Sequence, residues 1–150
     1  MAKTQKQTLQ VQVKKLVPAA KIPVQDVKDI LDAGWDLYTV ERRRIPGNSK
    51  YAIRTGIAMA IPAGWYGQIK NRSGIAVNTP LMVDAGVIDP GYRGEIKIVL
   101  VNTSEYPWDV EAGTKIAQIV FEKIPEVEFT EVTDLPPSDR GEKGFGSSGT

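Results

Sequence analysis

The stretch Gly94-Glu95-Ile96-Lys97-Ile98-Val99-Leu100-Val101 sets large apolar side chains at 96, 98 and 100 against a second, partly apolar set at 97, 99 and 101. Successive side chains of a strand point to opposite faces, so period-two alternation predicts a strand. Apolar residues in both sets predict that both of its faces are covered. Upstream lies Gly86-Val87-Ile88-Asp89-Pro90-Gly91-Tyr92-Arg93-Gly94-Glu95, a Pro-Gly turn with a carboxylate at the mouth of a hairpin.

Farther out the texture repeats. Fourteen glycines and ten prolines are spread through 150 residues, as many short strands joined by tight turns require. Leu9, Val11 and Val13 alternate with Gln10 and Gln12. Further strands are predicted at Tyr51–Ile61, with Gly56 as a bulge, and at Trp65–Lys70, Leu81–Val83, Trp108–Val110 and Lys115–Ile124. Turn signals at Pro46-Gly47-Asn48, Pro62-Ala63-Gly64 and Glu111-Ala112-Gly113 separate them. Helix is scarce: Val24–Leu31 has helical spacing with Pro23 near its start, and a short turn can follow Ser73 as its cap. Beyond Pro136 the composition is that of a flexible glycine-rich tail holding one large apolar residue, Phe145. An all-β domain over residues 1–136 and a tail over 137–150 are the expected organisation.

Composition narrows the chemistry. The chain contains no histidine and no cysteine, which excludes Ser-His-Asp and Cys-His nucleophiles, disulfides and the usual zinc sites. An enzyme built from it must use carboxylates, hydroxyls, backbone amides and a hard cation. Nineteen Lys and Arg against eighteen Asp and Glu give a net charge of +1, so no global field draws the chain to nucleic acid or a membrane surface. The polar segment Met1–Gln10 lacks an apolar leader, and the apolar runs are too short to span a bilayer. A soluble, intracellular, cytoplasmic protein is the expectation.

Five pieces could carry chemistry. Asp36 is an acid between hydrophobic residues at a strand start, where an unpaired buried carboxylate is costly. Arg72-Ser73-Gly74 joins a forked donor, a hydroxyl and a permissive glycine at the start of a helical turn, the ingredients of an anion cradle. Asp89 stands at the mouth of the Pro-Gly hairpin ahead of the aromatic Tyr92, where an acid can activate water. Gln118 is one amide in an apolar strand, and Arg140 through Gly149 combines glycines, serines and Phe145. Taken singly, each has an ordinary explanation: a solvated turn, a capped helix, a bonded core amide, a disordered terminus.

In this order, the five pieces resemble the five motifs of the trimeric dUTP nucleotidohydrolase (dUTPase) family. The segments are Ala33-Gly34-Trp35-Asp36-Leu37, Arg72-Ser73-Gly74, Ala85 through Gly94, Gly113-Thr114-Lys115-Ile116-Ala117-Gln118, and Arg140 through Gly149. Trp35 and Asn71 depart from the common pattern, which more often has tyrosine at the first position and proline or glycine at the second.

The resemblance implies a jelly-roll-like β-barrel subunit, a homotrimer with active sites shared between subunits, and magnesium-assisted hydrolysis of dUTP to dUMP and pyrophosphate. Such a reaction limits uracil in DNA and supplies dUMP for dTMP synthesis. By the same resemblance, Asp89 orients or deprotonates the attacking water, and Tyr92 packs under the deoxyribose. Uracil is read in the neighbourhood of Val83, Gly86, Val87, Ile88 and Lys97. Arg72, Ser73, Gly74 and Gln118 contact phosphate, and Asp36 holds the metal through water. Phe145 stacks on uracil while Arg140, Ser147 and Ser148 close over the γ-phosphate, with Gly146 among the substrate-binding residues of the tail. A dCTP deaminase of the same fold and a nucleotide-sensing regulatory protein are the alternatives; the Phe-Gly-Ser tail argues against the first.

Overall fold

A computed structural model of the chain describes residues 8–25, 32–142 and 144. In chain order its strands are β1 (Gln12–Lys15), β2 (Trp35–Tyr38), β3 (Arg43–Ile45), β4 (Ser49–Arg54), β5 (Ile57–Ala60), β6 (Trp65–Lys70), β7 (Leu81–Asp84), β8 (Val87–Ile88), β9 (Lys97–Asn102), β10 (Trp108–Val110) and β11 (Lys115–Lys123). One helix, α1 (Ser73–Asn78), is present among the described residues.

The strands form four sheets, ordered β1-β5, β3-β10, β2-β11-β6-β8 and β4-β9-β7, and every ladder is antiparallel. They wrap one core in the jelly-roll-like manner expected, the enclosure between sheets being completed by side-chain packing. Leu37, Ile45, Ile53, Ile57, Ile96, Ile98, Leu100, Ile116 and Ile119 are fully buried there. The alternation at 96–101 has the predicted cause. β9 is the central strand of its sheet: Ile98 and Leu100 face the core, while Val99 and Val101 are only partly covered.

Three expectations change. Tyr51–Ile61 is two strands rather than one bulged strand, because Gly56 adopts φ +69° and sends the chain from the β4 sheet into the β5 sheet. A side chain there would also meet Val17, Ala20 and Val40, its β-carbon standing 2.7 Å from Val17 Cγ2. Ser73 does not cap α1; it is the first helical residue, Arg72 takes the cap position with extended backbone, and no side chain caps the turn. Val24, the expected first residue of a helix over 24–31, is extended and bridges Asp36, whose N–H donates to the Val24 carbonyl at 2.7 Å. The remainder of that segment, 26–31, lies outside the described residues.

After β11 the described chain has no further strand, and residues 125–142 are exposed throughout. No helix among the described residues is long and apolar enough to cross a membrane.

Candidate active site in two clefts

The first cleft, of about 240 Å³, is lined by Asp32, Ala33, Gly34, Asp36, Arg72, Ser73, Gly74 and Gln118. Strand register assembles it. Asp36 of β2 lies directly across from Gln118 of β11, whose other neighbour is Lys70 at the end of β6; the Arg72 turn follows at once. Three segments distant in sequence thus meet at one end of the sheet.

Asp36 is the electrostatic centre of this cleft. It is 8% exposed, and each carboxylate oxygen meets a cation: Oδ1 is 2.7 Å from Arg72 Nε, and Oδ2 is 3.0 Å from Lys115 Nζ. Burial of a carboxylate is tolerated only with such pairing. Two cations around one buried acid, beside an uncapped helical turn, favour an anionic ligand. Gln118 is fixed as well, its Nε2 donating to the Asn71 carbonyl at 2.8 Å while its Oε1 lies against Gly34. A β-carbon at Gly34 would stand 2.2 Å from that oxygen, so glycine is what lets the amide lie there. Asn71 in turn accepts the Val83 N–H on Oδ1 at 2.7 Å, tying the Arg72 turn to β7.

The second cleft, of about 160 Å³, is lined by Val87, Ile88, Asp89, Tyr92, Glu95 and Lys97. β8 forms its floor by pairing with β6. Gly86 has φ +130°, accepts the Ile69 N–H at 2.7 Å, and passes too close to Ile69 for a side chain. The Asp89–Tyr92 turn closes through the Tyr92 N–H to the Asp89 carbonyl at 3.1 Å. Arg93 staples the same turn by donating from Nη1 to the Pro90 and Tyr92 carbonyls.

Two acids share this cleft in different states. Glu95 accepts Arg54 Nε on both oxygens at 3.1 Å and the Gly56 N–H on Oε1 at 2.9 Å. The Asp89 carboxylate is exposed and engaged by no described residue. One acid is structural and the other is available for chemistry.

Most of the residues expected from sequence fall in these two groups. Asp36, Arg72, Ser73, Gly74 and Gln118 gather in the first cleft, and Val87, Ile88, Asp89, Tyr92 and Lys97 in the second. Gly86 supports the second from beneath, while Val83 lines neither. Arg140 is exposed beyond β11. Phe145, Gly146, Ser147 and Ser148 lie outside the described residues. Sequence reasoning assigned no role to Lys115, Asn71, Arg54 or Glu95, because their partners are set by register and turn contacts between distant segments. Among the described residues, no three acidic side chains gather as a metal cage.

Comparisons with known proteins bear on the family. The dUTPase family model matches residues 20–149. The deoxyuridine 5'-triphosphate nucleotidohydrolase of Candida albicans is 41% identical over 134 residues, covering 88% of this chain and 83% of that protein. That of Yaba monkey tumor virus is 40% identical over 139 residues, covering 93% and 96%. Among solved structures, a dUTPase mutant of Staphylococcus bacteriophage 80alpha with dUpNHpp superposes with a TM-score of 0.86 at 31% identity, covering 95% of this chain and all of that one. A dUTPase mutant from phage phi11 of S. aureus, described for its coordination of a structural Mg(II) ion, gives a TM-score of 0.77 at 27% identity, covering 83% of this chain and 97% of that one. With its family model spanning residues 20–149 and residues of its first four motifs lining two clefts of the matching fold, this chain belongs to the dUTPase family.

Proposed function

We infer that this chain is a dUTP nucleotidohydrolase that cleaves dUTP to dUMP and pyrophosphate by attack of water on the α-phosphorus. The observation that carries the mechanism is the division of labour in the second cleft: Glu95 is held by Arg54 and Gly56, and Asp89 stands exposed beside Tyr92 with no partner among the described residues. Asp89 accepts a proton from the water as its oxygen bonds to the α-phosphorus. The bond from that phosphorus to the bridging oxygen breaks, and pyrophosphate leaves with the electron pair. Transfer at phosphorus asks mainly for positioning and charge neutralisation, which suits a chain without histidine or cysteine.

Arg72, Ser73, Gly74 and Gln118 of the first cleft bind the phosphates. Magnesium prefers oxygen ligands and keeps several waters, so a nucleotide triphosphate can bring most of its coordination. With no three acids gathered among the described residues, an ion there would take its inner ligands from the triphosphate and water, and Asp36 is the buried acid of the phosphate cleft that would hold those waters. When bound, the ion supplies charge neutralisation on the triphosphate, with Asp36 holding it through water. Val87, Ile88 and Lys97 border the uracil, with Gly86 bonded to Ile69 behind them and Val83 on β7, the strand that leads into them. Tyr92 packs under the deoxyribose. The tail completes the site, Phe145 stacking on the base while Arg140, Gly146, Ser147 and Ser148 close over the γ-phosphate.

The working unit is a homotrimer with sites shared between subunits. Two observations support it. The phosphate cleft and the Asp89 cleft have no residue in common. After β11, Val127, Phe129, Val132 and Leu135 stand exposed between acidic and polar residues, and Phe129 is 94% exposed, a pattern that calls for cover by another chain. Hydrolysis in ¹⁸O-labelled water tests the chemistry. Label in dUMP is the expected result, and label in pyrophosphate would mean attack on the β-phosphorus.

A further inference from the structure

Tyr92 is 45% exposed, and among the described residues its phenol makes one hydrogen bond, donating to the Glu95 carbonyl at 3.0 Å. The ring lies over Gly94 so closely that a β-carbon there would stand 2.4 Å from the phenol oxygen. An exposed aromatic with a single anchor is placed only as well as the atom that anchors it. Here that atom belongs to Glu95, whose side chain is 14% exposed and fixed at both oxygens by Arg54 Nε and by the N–H of Gly56. Arg54 and Gly56 flank the switch from β4 to β5, and Arg54 pairs with Lys97 across the β4-β9 ladder. The hairpin carrying Asp89 and Tyr92 is pinned before the turn by the β8-β6 ladder and after it by the Ile96 N–H to the Ile57 carbonyl and by the Glu95 carboxylate, the side-chain tie nearest the Tyr92 anchor.

We propose that Arg54 and Glu95 form a positioning clamp that fixes Tyr92 against the sugar and so sets the discrimination between 2′-deoxyribose and ribose nucleotides. The clamp rests on the role given to Tyr92 above and adds what holds that ring in place. Excluding one hydroxyl oxygen requires a wall located to a fraction of an ångström, because errors of about 1 Å at a binding surface are enough to change rates by about a hundredfold. Neither clamp residue touches the reacting atoms; both act through the Glu95 carbonyl and the Tyr92 ring. Charge-assisted hydrogen bonds of this kind are strong enough that loosening one alters placement measurably.

The test compares kcat/KM for dUTP and UTP, with magnesium, in the wild type, Arg54→Gln, Arg54→Lys, Glu95→Gln and Tyr92→Ala, and records thermal midpoints. Arg54 is half-exposed, and its replacement leaves the Glu95 bond to Gly56 in place, so Arg54→Gln remains folded even where Glu95→Gln does not. The expected result is a dUTP-to-UTP preference lowered about tenfold in Arg54→Gln and Glu95→Gln, through improved use of UTP, with partial retention in Arg54→Lys. Wild-type preference in both clamp variants, alongside lost preference in Tyr92→Ala, overturns the clamp. Wild-type preference in Tyr92→Ala overturns the sugar-packing role itself, and the clamp with it.

Discussion

At the scale of single residues, what each acid touches assigns its part. Asp89 has no partner to lose among the described residues, so Asp89→Asn changes little but the ability to take a proton. The variant is expected to bind dUTP within a few-fold of wild type and to turn over ~10²–10⁴-fold more slowly, as steady-state and single-turnover kinetics will show. Asp36 is the opposite case. Asp36→Asn leaves Arg72 and Lys115 around a neutral amide and weakens the 2.7 Å contact that orients the Arg72 guanidinium, so the KM for dUTP should rise about tenfold. An unchanged KM would show that Arg72 is held by other means. Asp89, Arg72 and Gln118 were singled out by the order of the five motifs, since taken singly each has an ordinary explanation. Lys115 and Asn71 were not. A lysine at the start of a strand and an asparagine after one are ordinary in sequence, and only the β2-β11-β6 register brings them onto Asp36 and Gln118.

Secondary-structure elements were legible to the degree that alternation governs them. β6, β10 and nearly all of β11 follow their apolar pattern, and β9 shows the two-faced pattern of a central strand. β3 was missed because only Ile45 of Arg43–Ile45 is buried and the arginines hide the alternation. The break at Gly56 was misread as a bulge, since a glycine inside an apolar run does not say whether the chain stays in its sheet. Gly56→Ala tests the structural answer: left-handed backbone and three close neighbours predict a loss of about 1–3 kcal/mol in denaturant unfolding. The tail gives a second prediction at this scale. A chain ending at Pro137 retains every strand and should melt within a few degrees of the full-length protein, yet lose activity on the order of a hundredfold. Full activity in that chain would remove the tail from the site.

For the molecule as a whole, composition and surface point the same way. A net charge of +1 gives no long-range pull on a polyanion, so phosphate recognition has to be local, and the pairing of Asp36 with two cations is such a local device. The exposed apolar side chains after β11 predict association: light scattering should give three times the 16.4 kDa chain mass, and a monomer with full activity would rule out shared sites. The absence of histidine and cysteine, visible from composition alone, matches a mechanism that depends on one aspartate and on charges brought with the substrate. The most direct measurement is release of pyrophosphate from dUTP, dTTP, dCTP and UTP with and without magnesium. A dUTP hydrolase yields dUMP and pyrophosphate from dUTP far faster than from the other three, and only weakly once magnesium is chelated. Ammonia released from dCTP, with no pyrophosphate from dUTP, would contradict it.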